Sequence, residues 1–213
     1  MTKKESPTLK NQTQRTTPTQ KWLIAIFTLI LVFLIGSYIY LDHYYSRETT
    51  AQRFVTAIQK NHPKQVAALI RTDDPDFKIN AHNVQPLINY YRNNPSQIKK
   101  LKRRMSTTGV VNNDMDFVDT GHHFFLFEKF LLEVKPIFPT IESNRSHTQI
   151  AINGKLAAQN LRKHTVRTFG PLIPGRYHIQ ATTTVRNKPI VLSRQFEWIE
   201  PTAADLKVTT NFK

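Results

Sequence analysis

Residues 22–41 read WLIAIFTLILVFLIGSYIYL, from Trp22 to Leu41, without a single charged side chain. At about 1.5 Å rise per residue, a helix of this length spans roughly 30 Å, the thickness of a bilayer hydrocarbon core. Thirteen of the residues are Leu, Ile, Val or Phe. Each favours insertion by about 0.3 to 0.6 kcal/mol near the bilayer centre, so together they contribute roughly −4 to −8 kcal/mol. A buried helix of a soluble domain rarely needs such length, and the expected structure is a transmembrane helix. The exit Gly36-Ser37-Tyr38-Ile39-Tyr40 contains no small-x-small pair and no lipobox cysteine, so the segment reads as an uncleaved signal anchor.

The flanks agree with that reading. Trp22 at one end and Tyr38, Tyr40, Tyr44 and Tyr45 at the other stand where interfacial aromatic belts sit. Residues 1–21 carry Lys3, Lys4, Lys10, Arg15 and Lys21 against Glu5 alone, and the positive-inside bias places them in the cytoplasm. Residues 1–20 are Thr, Gln, Lys and Pro with almost nothing apolar, the composition of a disordered tail. The expected division is therefore a cytoplasmic tail (1–21), an anchor (22–41), an extracellular helical module (42–105) and a β-sandwich module (106–213).

The chain holds 30 Lys and Arg against 15 Asp and Glu, and no cysteine. Without cysteine there is no disulfide framework, no thiolate metal site and no cysteine nucleophile. Residues 43–105 carry a net charge of +8 and residues 106–213 of +4, so the excess lies next to the anchor. In the cytoplasm such a balance would point to nucleic acid. Outside the membrane the available polyanions are teichoic acids and anionic lipid headgroups, so the expected partners are membrane lipid and anionic wall polymers, with no nucleic acid.

Beyond the anchor the grammar is first helical. Ala51, Phe54, Val55 and Ile58 recur at spacings of three and four behind an N-cap at Ser46, which predicts a helix to about Lys60. Pro63 opens a second helix with Val66, Ala67, Leu69 and Ile70 on one face, expected to pair with the first as a hairpin. A third is expected from Ala81 to Arg92. A fourth, opened by Pro95, carries Ile98, Leu101 and Met105 as its apolar stripe. Around that stripe lie Lys99, Lys100, Lys102, Arg103 and Arg104. These five are the candidate polyanion-binding residues, expected on the solvent side as a cationic ridge. At about 1 kcal/mol per cation near an anionic surface, the attraction would be salt-sensitive and of micromolar to millimolar strength.

After Ser106 the pattern turns to strands. Residues 116–118 and 123–134 are rich in β-favouring residues and read as a buried strand pair or one long bent strand, with Phe124, Phe125, Phe127 and Phe130 expected in the core. Asn153-Gly154 is the signature of a two-residue type I′ hairpin turn. Gly170 to Tyr177 forms a turn-rich corner into a strand at 178–185, and residues 186–189 turn the chain into another at 190–198. The expected fold class is α+β: one N-terminal transmembrane helix, a small extracellular helical module, then an antiparallel β-sandwich.

Several features together resemble a family. The anchor is followed by Phe54-x3-Ile58, by Phe127-Glu-Lys-Phe130 with Val134-Lys-Pro136, by Ile152-Asn-Gly154, and by Gly170-Pro-Leu-x-Pro-Gly-x-Tyr177. This order is similar to the TcaA/YvbJ-like envelope proteins of Firmicutes, over most of residues 22–200. Residues 148–198 also look like a PEGA-type β-module, with its Asn-Gly hairpin and Pro-Gly-x-Tyr corner. The resemblance implies a non-enzymatic membrane protein of the Gram-positive cell wall, in a family associated with wall polymers and the glycopeptide-antibiotic response. TcaA-like proteins usually begin with a four-cysteine zinc ribbon and continue into further extracellular domains. This cysteine-free chain carries no such ribbon, so zinc binding does not carry over.

Catalytic signals are sparse: there is no Gly-x-Ser-x-Gly elbow and no Ser-x-x-Lys motif. Asp73, Asp74 and Asp76 lack the glycine and distal glutamate of an EF-hand and read as turn residues. Asp114, Asp116 and His123 offer a metal-ligand set, but turn residues flanking a strand explain them better. No catalytic residue, metal or cofactor is expected. The leading expectation is a non-enzymatic anchored protein that binds or senses wall polyanions. The alternative is a scaffold that docks another envelope protein.

Overall fold

The computed structural model describes residues 18–212. The expected tail therefore lies outside the described residues for residues 1–17, while Pro18 already belongs to a helix. The chain divides into two compact units that part between His43 and Tyr44.

The first unit is built on α1 (Pro18–Tyr45), a 28-residue helix whose apolar stretch runs without interruption. Trp22, Phe27, Leu29 and Phe33 are all more than three-fifths exposed. A helix apolar all round suits lipid rather than a soluble core. Among the described residues it is the one helix long and apolar enough to cross a membrane.

The second unit opens with α2 (Arg47–Gln59). Ser46 caps it, its Oγ accepting the Thr49 backbone N–H at 3.3 Å, and Ala51, Phe54, Val55 and Ile58 are buried on one face. Then come α3 (Pro63–Ala68), β1 (Ile70–Arg71), α4 (Gln85–Asn93) and α5 (Pro95–Thr107). α3 is a short turn of helix that runs straight into β1, and α4 begins four residues later than the periodicity predicts. There Asn80 Oδ1 accepts the backbone N–H groups of His82 and Asn83, holding residues 80–84 as turns instead. Ile98, Leu101 and Met105 are the buried stripe of α5, as predicted.

The strands follow as β2 (Val110–Asn112), β3 (Met115–His123), β4 (Phe127–Val134), β5 (Thr140–Ser143), β6 (Thr148–Ile152), β7 (Lys155–Leu161), β8 (Val166–Thr168), β9 (Gly175–Val185), β10 (Lys188–Trp198) and β11 (Lys207–Thr210). They form three sheets, ordered β1-β4-β3-β2, β10-β9-β6-β7 and β11-β5-β8. Pairing is antiparallel except for β1 with β4 and β11 with β5, which are parallel. The expected α+β class holds, with mixed rather than purely antiparallel sheets.

Two hydrophobic cores result. The first joins α2, α4 and α5 to Val111, Met115, Phe117, Phe130, Leu132 and Val134 of β2–β4, so strands assigned from sequence to the β-module pack on the helices. The second fills the space between the other two sheets, around Ile141, Ile150, Ile179, Trp198 and Val208. Ile173 belongs to the first core although its chain neighbours build the second. Next to it, the start of β9 presses so closely on α4 that a Cβ on Gly175 would stand 2.4 Å from the Pro86 carbonyl carbon.

One expectation is corrected here. Phe127 and Phe130 are buried, but Phe124 is 71% and Phe125 98% exposed. The chain reverses at residues 124–126, so these two rings cap a hairpin instead of continuing a strand. Leu126 N–H donates to the His123 carbonyl at 3.1 Å, and Phe124 and Phe125 have φ of 52° and 63°, the signature of a type I′ turn. The turns at Asn153-Gly154 and Arg186-Asn187 also have positive φ at both positions, and both use asparagine. Bulky side chains in this region carry a cost of about 1–2 kcal/mol each.

Candidate functional site

α5 exists because Pro95 sets its first turn and because one residue in every three or four can be buried against α2 and β2. The other positions are free to carry charge. At about 100° per residue, Lys99 and Arg103 share the outermost stripe, Lys100 and Arg104 the flank beside them, and Lys102 the opposite flank. Lys99, Lys100, Arg103 and Arg104 are exposed and Lys102 is half-buried. Among the described residues, no carboxylate forms an ion pair with any of the five.

The five are therefore not one ridge. Lys100 and Arg104 line a cleft of about 300 Å³ that also receives Tyr90, Tyr91, Glu197 and Glu200. Arg104 donates through its guanidinium to the Val111 carbonyl, which ties it to β2. Glu200 is committed to the Asn113 backbone N–H at 3.2 Å, and Glu197 to Arg176. Burial, with help from Tyr90 and Glu200, pushes the Tyr91 phenol well above its ordinary value, so it is a neutral wall of that cleft. Lys99 and Arg103 face water, and Lys102 stands apart from both pairs.

A second cluster was not singled out in the sequence. Tyr45 stacks on His123 with ring centroids 4.5 Å apart and on Phe127 at 5.7 Å, and these two residues are the pair that closes the 124–126 turn. Arg53 lies over the Tyr44 ring at 4.2 Å. Partial burial, then Lys129 and Arg53, lower the His123 pKa, so His123 stacks as a neutral ring. The signal available in the sequence was the unbroken run His122 to Phe127, which departs from period-two alternation. It reads equally as a fully buried strand, and only the position of the reversal decides between them.

The other candidates separate. Asp114 lies in the turn before β3 and His123 at its far end. Seven residues of strand separate Asp116 from His123, a distance of roughly 24 Å, so these residues cannot share a metal ion. Among the described residues, no group of three His, Asp or Glu is placed to hold one. Asp74 Oδ1 accepts the Asp76 backbone N–H at 3.0 Å and Thr72 Oγ1 accepts that of Asp74 at 3.2 Å. That is turn chemistry, as expected.

Residues 47–134 match the TcaA protein second domain, a range that covers the first core apart from Ile173. The uncharacterized membrane protein YvbJ of Bacillus subtilis (strain 168) is 23% identical over 150 residues, covering 70% of this chain and 25% of that protein. The membrane-associated protein TcaA of Staphylococcus aureus (strain Newman) is 22% identical over 209 residues, covering 90% of this chain and 45% of that protein. The chain thus spans less than half the length of these curated relatives. No solved structure matches it. The chain is thus similar to the TcaA second domain over residues 47–134, and to the YvbJ and TcaA membrane proteins over 70% and 90% of its length.

Proposed function

We propose that this chain is a non-catalytic, single-pass membrane protein of the Gram-positive envelope, oriented with residues 42–213 outside, that binds anionic wall polymers. The observation that carries the reading is the outward stripe of α5, where Lys99 and Arg103 are exposed and, among the described residues, no carboxylate is paired to them. Lys100, Lys102 and Arg104 supply flanking charge. Both relatives are named as membrane proteins, which supports the anchor. A part in the response to wall-directed antibiotics would follow from polymer binding, and we read residues 148–198 as a PEGA-like module that spaces the cationic face from other envelope components.

Retention of the detergent-solubilised full chain on purified walls, with and without teichoic acid, tests this across a salt series. Retention should require the polymer and fall steeply with salt. The double variant Lys99→Glu/Arg103→Glu should weaken it by roughly ten-fold or more. Salt-independent retention, or retention untouched by the double variant, removes the electrostatic reading.

A second reading has its own observation. Between α4 and the β6–β7 hairpin lies a cavity of about 530 Å³ whose lining includes Pro86, Leu156, Phe169 and Leu172 with Asn83 and Asn89 at hand. Its size suits a small molecule or a peptide side chain, and it supports docking of another envelope protein. Crosslinking from Leu156 that survives charge reversal on α5 would favour this scaffold reading.

A further inference from the structure

We propose that the hairpin tip Phe124-Phe125-Leu126 is a lipid-contacting wedge, which seats in the interfacial layer of the same bilayer that holds the anchor. The inference rests on reading residues 22–41 as a membrane span, and on nothing in the wall-polymer proposal. It is indifferent to which side of the membrane the second unit occupies.

Three observations meet at this tip. The first is exposure: Phe124, Phe125 and Leu126 are 71%, 98% and 65% exposed in consecutive positions. Elsewhere in the second unit the exposed large apolar residues stand singly, such as Val110, Phe138, Leu156, Val166 and Val191. The second is the backbone. Two phenylalanines occupy positive-φ turn positions that asparagine, glycine and arginine fill in the other two-residue turns. A pair of rings held there against backbone preference is the kind of outlier that accompanies a functional constraint.

The third is the tether. Tyr45, stacked on the His123 and Phe127 pair at the base of the tip, follows Leu41 by four residues. Four residues span at most about 14 Å of chain, so Tyr45, the residue stacked on that base, follows the apolar run with little chain between them. The tip is three residues further on. Lipid is the one apolar phase that chain connectivity guarantees to be this near. An aromatic and aliphatic tip on a partly cationic base is the composition that settles at the headgroup and acyl boundary. Around that base Arg53 and Lys129 offer positive charge to lipid phosphates, Glu128 is the opposing carboxylate, and His122 and His123 complete the set.

The absence of cysteine makes the test direct. The full chain is reconstituted into vesicles of phosphatidylglycerol and phosphatidylcholine carrying nitroxide-labelled lipids. Single cysteines labelled with an environment-sensitive fluorophore are placed at Phe125→Cys, at Asn187→Cys on another hairpin tip, and at Ile30→Cys in the span. The label at residue 125 should be blue-shifted and quenched by shallow nitroxides, at a depth of about 5–10 Å, and roughly two-fold more than at residue 187. In the Phe124→Ser/Leu126→Ser background that quenching should be lost while the melting temperature stays within the native range.

Quenching at residue 30 with none at residue 125 overturns the wedge and leaves the anchor standing, which would free the tip for a protein partner. No quenching at residue 30 removes the anchor, and the wedge with it. Quenching at residue 125 that survives the double serine background also overturns the proposal, because the apolar side chains would not be its cause. Repeating the measurement in pure phosphatidylcholine separates the roles: a tip held by its rings stays seated, with only the contribution of Arg53 and Lys129 removed.

Discussion

At the scale of single residues, the corner that feeds β9 shows how little freedom the sequence leaves. Tyr177 is buried and its hydroxyl donates to the Ile173 carbonyl at 2.6 Å, while burial raises its pKa and keeps it a donor. Trp198 donates from Nε1 to the Asp205 carbonyl at 3.0 Å, satisfying the one polar atom of a ring otherwise held in the second core. Between Ile173 and Tyr177, Gly175 is required by contact: its missing Cβ would overlap the Pro86–Leu87 backbone. Gly175→Ala should therefore cost about 1–3 kcal/mol, read as a lower denaturation midpoint at unchanged slope. His123 gives a second expectation. Burial, then Lys129 and Arg53, hold its pKa below the ordinary histidine value of 6.5, so the folded state binds fewer protons there than the unfolded state. Stability at this site is complete above pH 6.5 and is lost as pH falls below that value. A melting series from pH 8 to pH 5 should show this loss, and His123→Gln should flatten it.

At the scale of elements, α5 and the β3–β4 hairpin mark the two ends of what periodicity can reveal. α5 was legible because a helix that buries one side announces itself at spacings of three and four, and Ile98, Leu101 and Met105 are buried as read. That the five cations divide into two pairs and a single residue was also implicit in the 100° rule. Proximity in sequence disguised it, and the acidic neighbours Glu197 and Glu200 come from some hundred residues away, beyond any local pattern. The hairpin was misread at Phe124 and Phe125 because aromatic runs are ordinarily strand, and a reversal is ordinarily marked by glycine or asparagine. Here the marking residue is absent and the turn forms regardless, closed by the His123–Leu126 hydrogen bond. If the tip were selected for stability alone, its residues would be those of the Asn153-Gly154 turn. Phe124→Asn/Phe125→Gly should accordingly raise the stability of the second unit by about 1–2 kcal/mol in detergent solution. A decrease would show that the rings hold the fold through contacts rather than strain it.

At the scale of the molecule, the second unit contains two cores, joined where the start of β9 meets α4 and where Ile199 and Glu200 meet the β2–β3 turn. The first was only half legible: its helices were, but the packing of β2–β4 against them depends on pairings of long sequence separation, such as β1 beside β4 across sixty residues. Local composition placed those strands with the β-sandwich because it records strand character and not partner. The matched family range 47–134 follows the core and not the change in local grammar. The tightest part of the junction is Ile173 inserted into the first core and Gly175 seated on α4, with Ile199 and Glu200 held against β2–β3 beside it. A junction without a gap for a side chain transmits unfolding from one core to the other, because neither core can loosen without uncovering it. Amide exchange across a denaturant series should then show α2 and α5 losing protection at the same midpoint as β6 and β9. In Gly175→Ala, where the junction must open to admit a methyl group, the two sets of midpoints should part, with the smaller core around β6 and β9 yielding first. Separate midpoints in the unaltered chain would mean that the cores are independent, and that the contact at Gly175 is close without being coupled.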